Sequence, residues 1–461
     1  MNPVAETIEA PLATQHESAT SPKRIGILAH VGNKNLGDEA TVTATIQNIR
    51  RRYPNAEILA FTSNPEDTIV RHGVPAVPSR RIEPRRGVKR KACLGKNDSV
   101  STRGDDTWQR LKIWLKGYSR LFSWLKAIQA MVFIARNCVA EVAFIARGYQ
   151  QLRGLDLLLI TGSQQLNDYN GGPWAFPYTL FKWSLLARLT GTKVAFLSVG
   201  VGPLRSRTGR LLAQRALNLA AYHSFRGRAS KRFVEKLGVS GQPVASTDLV
   251  YSLRLEAADN SARDKASTRV VAINALPYFD ERYWPESNSQ VYSRYVSQMA
   301  NFALWLLNRG YSIVFFPTQL RADPWAIADI REELERLWKG KASSKAKLLD
   351  WPTQSIEDLV ATISAADFVV ATRFHGIVIP FALGKPVLGI AYHSKSTDVM
   401  EQMGQRRYAL DVNELNLPLL QERFAQLEAE GPSIQREIAG RLATVREDLD
   451  QQYDKVFRFL D

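Results

Sequence analysis

Short apolar runs alternate with longer segments of helical period along most of the chain. Strand candidates in the first half are Arg24–His30, Glu57–Thr62, Asp156–Thr161, Lys193–Val199, His223–Arg226 and Val244–Ser246. In the second half they are Arg269–Asn274, Tyr311–Pro317, Lys347–Asp350, Asp367–Ala371 and Pro386–Ala391. Several of these runs are continuously apolar instead of alternating, which suits strands covered on both faces of a parallel sheet. Strand–helix alternation of this kind implies βαβ units. The expected fold class is α/β, with two Rossmann-like doubly wound domains facing a cleft.

The polar segment Leu255–Thr268 breaks the pattern and is the linker candidate. It separates an amino-terminal domain, residues 23–254, from a carboxy-terminal domain, residues 269–432, with a charged helix over 433–461. Residues 1–22 lack the apolar core of a signal peptide and read as a disordered tail. Ligands of open α/β sheets bind beyond the carboxyl ends of the strands, so chemistry is expected in the cleft between the domains.

The 461 residues carry 61 Lys and Arg against 45 Asp and Glu, a net charge of +16 that points to an acidic partner. The surplus is local: residues 80–153 hold 17 basic and 5 acidic residues, so +12 of the +16. Arg80 to Asp106 reads as a loop or disordered insertion. From Trp108 to Gln151 apolar residues recur at helical spacing, with Lys112, Lys116, Arg120 and Lys126 between them. Two readings fit equally: a basic amphipathic helix at an anionic membrane surface, or a core helix with a solvated basic face. Nucleic acid is not expected, because no helix-turn-helix, RNP or zinc-finger pattern accompanies the charge. The two cysteines, Cys93 and Cys138, exclude a disulfide framework and fit a reducing compartment. The expected location is cytoplasmic, peripheral on the inner face of the membrane if the basic insertion binds lipid.

Five segments at strand ends could carry chemistry. Gly32-Asn33-Lys34-Asn35-Leu36-Gly37-Asp38-Glu39 follows the first strand and opens a helix, where amide groups attract anions. Its spacing is not the dinucleotide fingerprint. Asp38 is either an N-cap or a carboxylate able to take a proton from a hydroxyl. Thr161-Gly162-Ser163-Gln164-Gln165-Leu166-Asn167-Asp168 suits hydrogen bonding to sugar hydroxyls, or is an ordinary βα turn. Arg226 ends a strand, where its planar fork could hold a carboxylate or phosphate. Thr372-Arg373-Phe374-His375-Gly376 joins a strand end to a helix start, placing Arg373 beside a histidine able to titrate near neutral pH. Lys395 follows the next strand and is expected near Arg373 and His375.

In this order and spacing, GNKNLGDEA, LLITGSQQLND, SFRGRAS with the downstream Asp248-Leu249-Val250-Tyr251-Ser252-Leu253, TRFHGIVIPFALGKP and AYHSKS resemble the polysaccharide pyruvyl transferase family. The resemblance implies a glycosyltransferase-B-like fold. It also implies transfer of pyruvate from phosphoenolpyruvate to two hydroxyls of a sugar in an exopolysaccharide or cell-surface glycan precursor, giving a cyclic ketal and phosphate. By resemblance Arg226, Arg373, His375 and Lys395 occupy the family's phosphoenolpyruvate-binding and catalytic positions. The mechanism expected from their chemistry has Arg226, Arg373 and Lys395 hold the donor, His375 and Arg373 serve catalysis with His375 as general acid, and Asp38 take the proton of the acceptor hydroxyl. Asn35, Gly37, Gln164 and Asp168 are the acceptor-binding candidates, the acceptor being free or lipid-linked. The donor is a substrate, so no cofactor is expected, and nothing in the sequence demands a metal. Two positions depart from the family pattern: Gly227 stands where an acidic residue is usual, and the glycine run of the second motif shrinks to Thr161-Gly162-Ser163-Gln164. The alternative is a glycosyltransferase of the same fold with a nucleotide-sugar donor, which would need a carboxylate for the ribose near the second domain's strand ends, where the motifs are basic.

Overall fold

The computed structural model describes residues 21–81, 119–169, 171–254, 268–338 and 346–460, the side chains of 119–135 apart. The amino-terminal tail, the basic stretch 82–118 and the linker residues 255–267 lie outside the described residues.

The first sheet contains β1 (Arg24–Leu28), β2 (Glu57–Thr62), β3 (Ala76–Pro78), β4 (Leu157–Thr161), β5 (Lys193–Val199), β6 (Tyr222–Arg226) and β7 (Val244–Ser246), in the order β3-β2-β1-β4-β5-β6-β7. The second contains β8 (Val270–Asn274), β9 (Ser312–Phe315), β10 (Leu348–Leu349), β11 (Phe368–Ala371), β12 (Val387–Ala391) and β13 (Ala409–Asp411), in the order β10-β9-β8-β11-β12-β13. The strand pairings are parallel throughout. This is the α/β two-domain fold expected from the strand pattern. Strands such as β4 (LLLIT) and β8 (VVAIN) are buried at every position, which explains their unbroken apolar runs. The short strands β3 and β13 have no apolar run of their own and were not among the expected strands. Each sheet reverses its winding once, between β1 and β4 and between β8 and β11, and loops leaving those strands face a crevice.

Helices fill both faces of the first sheet. On one face α1 (Leu36–Arg52) supplies buried residues to the core that continues into the second domain. On the other, α3 (Ser119–Leu152), α4 (Phe176–Thr190) and α5 (Arg207–Asn218) cover a separate core around Phe61, Trp183 and Phe196. Between α1 and α3 runs α2 (Pro65–His72), and α6 (Gly227–Lys236) follows β6. The second domain carries α7 (Ser289–Asn308), α8 (Asp323–Trp338), α9 (Ile356–Ala365), α10 (Phe374–Ala382) and α11 (Ser394–Gln402).

The last helix, α12 (Leu417–Phe457), begins well before the expected residue 433. Gly431-Pro432 reads as a stop in the sequence, yet Pro432 lies inside the helix, which costs one backbone hydrogen bond and does not end it. The helix leaves the second domain and returns to the first. Its Asp450 and Asp454 pair with Arg51 and Arg52 of α1, and Gln452 donates to Ser198 Oγ of β5 at 3.1 Å. Arg446 Nε donates to Tyr251 O at 3.1 Å and its Nη2 to Ala382 O at 3.0 Å, so one side chain touches both domains. Leu449, Tyr453 and Val456 are fully buried beneath it. Leu449→Ala should therefore lower stability by about 2–5 kcal/mol, read as a fall in the denaturant midpoint; an unchanged midpoint would mean the helix is not part of the cooperative core.

Candidate active site

Two helix starts from different domains meet in the crevice. The loop after β1 places Asn35 as the N-cap of α1, with its Oδ1 accepting from Gly37 N at 3.1 Å and its Nδ2 donating to Asp38 Oδ2 at 2.9 Å. Asp38 is therefore not the N-cap; it lies in the first turn and is buried. The loop after β11 makes Arg373 the N-cap residue of α10 and sets His375 in its first turn. A Cβ built on Gly37 would lie 2.0 Å from His375 Nδ1, so glycine is required for this close approach. The same crevice edge is sealed by backbone: Leu36 N donates to Thr318 O at 2.8 Å and Leu320 N to Lys34 O at 2.9 Å.

At the centre is Asp248, just after β7. Its Oδ1 accepts from Val250 N at 3.0 Å. Its Oδ2 lies 2.8 Å from Arg226 Nη1 and 3.5 Å from His375 Nε2. Burial alone would raise its proton affinity, but the Arg226 charge and the contact with His375 win and hold the carboxyl down at about 2. Arg226 stands at the end of β6, with its guanidinium 5.2 Å from the Phe374 ring centre. Its Nε and Nη2 are buried without a hydrogen-bond partner among the described residues. Lys395, in the first turn of α11, is affected by the same cation: burial and then Arg226 bring its ammonium down to about 7. Asp38 moves the opposite way. Burial pushes its carboxyl up, against the pull of His375, His30 and Arg226. His30, beside Asp38 and edge-on to Phe176 at 4.8 Å, is a member of this group that went unnoticed as a lone histidine after β1.

Arg373 turns to different partners. Its Nε donates to Asp323 Oδ1 at 2.8 Å, with Nη2 2.6 Å away from the same oxygen, and its guanidinium is 5.2 Å from the Tyr283 ring centre. Asp323 and Tyr392 keep Arg373 firmly protonated despite its burial. Lys395 was expected near Arg373 and His375; the charge that acts on it is that of Arg226, which Asp248 in turn links to His375. Asp323 Oδ2 accepts from Thr318 N and Gln319 N at 2.9 and 2.8 Å, so this carboxylate couples Arg373 to the strip that meets Lys34 and Leu36. Neither Asp248 nor Asp323 has a sequence neighbour that betrays its role, because each acts on a residue in another motif.

The acceptor candidates are distributed differently. Asn35 and Gly37 lie in the crevice edge just described. Gln164 Nε2 donates to Val201 O at 3.2 Å. Asp168 accepts from Arg205 N at 2.8 Å, and from Ser206 N and Oγ at 2.7 Å, so its carboxylate is spent on the loop that starts α5 and is not presented to a ligand. Gly227 opens α6 at φ +79°, a conformation an acidic residue would adopt only with strain. Among the described residues no group of His, Cys, Asp and Glu is arranged to hold a metal.

The fold is shared with UDP-GlcNAc 2-epimerases and with a glycosyltransferase. The UDP-GlcNAc 2-epimerase of Neisseria meningitidis bound to UDP-GlcNAc is similar at 12% identity and TM-score 0.51, over 95% of this chain and all of that one. A glycosyltransferase of Rickettsia africae matches at 9% identity and TM-score 0.51, over 96% of this chain and all of that one. The UDP-GlcNAc 2-epimerase of Methanocaldococcus jannaschii matches at 9% identity and TM-score 0.50, over 87% of this chain and 92% of that one. These likenesses show a glycosyltransferase-B-type architecture. Within it, the sequence model of the polysaccharide pyruvyl transferases matches residues 35–394, and the chain belongs to that family. No curated protein matches it significantly.

The Asp248 charge makes a stability prediction. Its carboxyl titrates near 3.8 in the unfolded chain and about 2 when folded. The stabilisation is complete above about pH 4 and is lost as pH falls toward 2. Asp248→Asn should cost on the order of 2 kcal/mol at neutral pH and flatten the decline in stability between pH 4 and 2. Denaturation midpoints across that range are the measurement; parallel profiles for the two proteins would refute the assignment.

Proposed function

We propose that the protein transfers pyruvate from phosphoenolpyruvate to two hydroxyls of a saccharide acceptor, forming a cyclic ketal with release of phosphate. The observation that carries this reading is the pair of buried Arg226 donors, without a hydrogen-bond partner among the described residues, beside Lys395 in a cationic site where Asp248 lies between Arg226 and His375. A small dianionic phosphate with an adjoining carboxylate satisfies such donors, and charge-assisted bonds to it are strong in a buried site.

In this reading Arg226 and Lys395 take the phosphate, and Arg373, fixed by Asp323, supplies a second cation for the carboxylate. His375, oriented by Asp248, donates a proton to the methylene carbon of the enol. Asp38, with its raised proton affinity, accepts the proton of the first acceptor hydroxyl, whose oxygen bonds to C2. The tetrahedral intermediate then loses phosphate as the second hydroxyl bonds to C2. Of the two hydroxyl protons, the balance places one in the new methyl group and one on the departing phosphate. The acceptor enters from the first domain's side, over His30 and the loop after β4.

Calorimetry with phosphoenolpyruvate tests this without knowledge of the acceptor. Binding should weaken roughly tenfold or more in Arg226→Ala. Because Lys395 is near half-protonated at pH 7, donor binding at pH 8 should take up a proton, seen as a heat that depends on the buffer, and Lys395→Met should abolish that uptake. Affinity should likewise fall as pH rises through 7. Binding of a nucleotide sugar in place of phosphoenolpyruvate would overturn the reading.

A further inference from the structure

The three helices that cover the outer face of the first sheet carry exposed side chains that are both apolar and basic. α3 packs along α4 through Glu141, which bonds Lys182 at 3.0 Å and Tyr178 at 3.1 Å, and through Phe144 against Trp183. α4 packs in turn along α5. Their inner sides fill the core around Trp183. Their outer sides should be polar if they faced only water. Instead Val139 and Val142 of α3 are 70% and 64% exposed, Leu189 of α4 is 62% exposed, and Leu211 of α5 is 52% exposed. Tyr149 and Leu185 add to the same outward side. Scattered single apolar residues would need no explanation, but these recur on three adjacent helices.

The charge on these helices is equally one-sided. Together they hold nine Lys and Arg residues and one acidic residue, Glu141, which is already committed to Lys182 and Tyr178. Arg136, Arg147, Arg188, Arg207, Arg210 and Arg215 are exposed around the apolar side chains. A protein partner for so basic a surface would have to be strongly acidic and apolar at once. An anionic bilayer presents that combination at its headgroup level, where valine, leucine and tyrosine enter the acyl boundary and arginines meet lipid phosphates. Arginine side chains also reach along a membrane surface while their stems stay in apolar contact.

We infer that the α3–α4–α5 face is a docking surface for an anionic membrane, which it meets in the plane of the interface. The contact is peripheral: among the described residues no helix is long and apolar enough to cross a membrane. The surface lies on the side of the sheet opposite α1, so docking leaves the crevice open. The inference stands independently of the donor chemistry.

The test uses the full chain with vesicles of phosphatidylcholine alone or containing phosphatidylglycerol, in a sedimentation assay. The protein should partition onto the anionic vesicles and not onto the neutral ones, and 0.5 M salt should release most of it, a shift roughly tenfold or larger. Val142→Asp with Leu189→Asp should lower the partition roughly tenfold at low salt. Both positions are exposed, and phosphoenolpyruvate affinity, measured in parallel, should stay unchanged. Equal sedimentation of variant and wild type, or none by either, would overturn the inference. So would a dimer in vesicle-free solution that the same substitutions dissociate, which would assign the face to a second copy of the chain.

Discussion

One buried carboxylate organises the crevice. Asp248 has almost no exposure, and a charge in that position is tolerated only because it is matched. Its partners come from two domains: Arg226 from the end of β6 and His375 from the start of α10. The approach of the domains is fixed by the absence of a side chain at Gly37, which lets His375 sit against the first turn of α1. Remove the charge and Arg226 loses the partner that fixes its orientation; enlarge Gly37 and the imidazole must move. The site thus exists as a property of the interface and of neither domain alone.

A second carboxylate performs a parallel task. Asp323 holds Arg373 with one oxygen and the backbone of Thr318 and Gln319 with the other. That strip is hydrogen-bonded to Lys34 and Leu36, so the position of Arg373 is tied to the loop that carries Asn35, Gly37 and Asp38. α12 then closes the assembly from behind, with Arg446 bonded to carbonyls in both domains. Buried polar networks of this kind are strong only when their members are matched, and in Arg226 two donors, Nε and Nη2, have no hydrogen-bond partner among the described residues.

Much of this was legible in the chain. The long apolar strands announced themselves because burial on both faces leaves a polar residue only at the last position of runs such as LLLIT and VVAIN. β3 and β13 did not: each pairs two apolar residues with a closing Pro78 or Asp411, which leaves no run to recognise. The carboxy-terminal helix, expected over 433–461, starts at Leu417 and contains Pro432. Arg226, Asp38, His375 and Lys395 stood out by their places after strands, and the structure brings these four into one electrostatic group. Asp248 and Asp323 were not assigned roles because a pairing across 127 residues, as between Asp248 and His375, leaves no trace in local spacing. Asp168 shows the converse: a polar loop residue suited to a ligand by type accepts its hydrogen bonds from Arg205 and Ser206 of another loop.

The central claim is that Arg226 and His375 act as one unit through Asp248. A double-mutant cycle on phosphoenolpyruvate affinity, using Arg226→Lys, His375→Gln and the double variant, addresses it most directly. The account predicts a coupling of about 0.5–3 kcal/mol, as for residues sharing a network. Effects that add to within about 0.5 kcal/mol would contradict it, leaving Arg226 and His375 as independent neighbours.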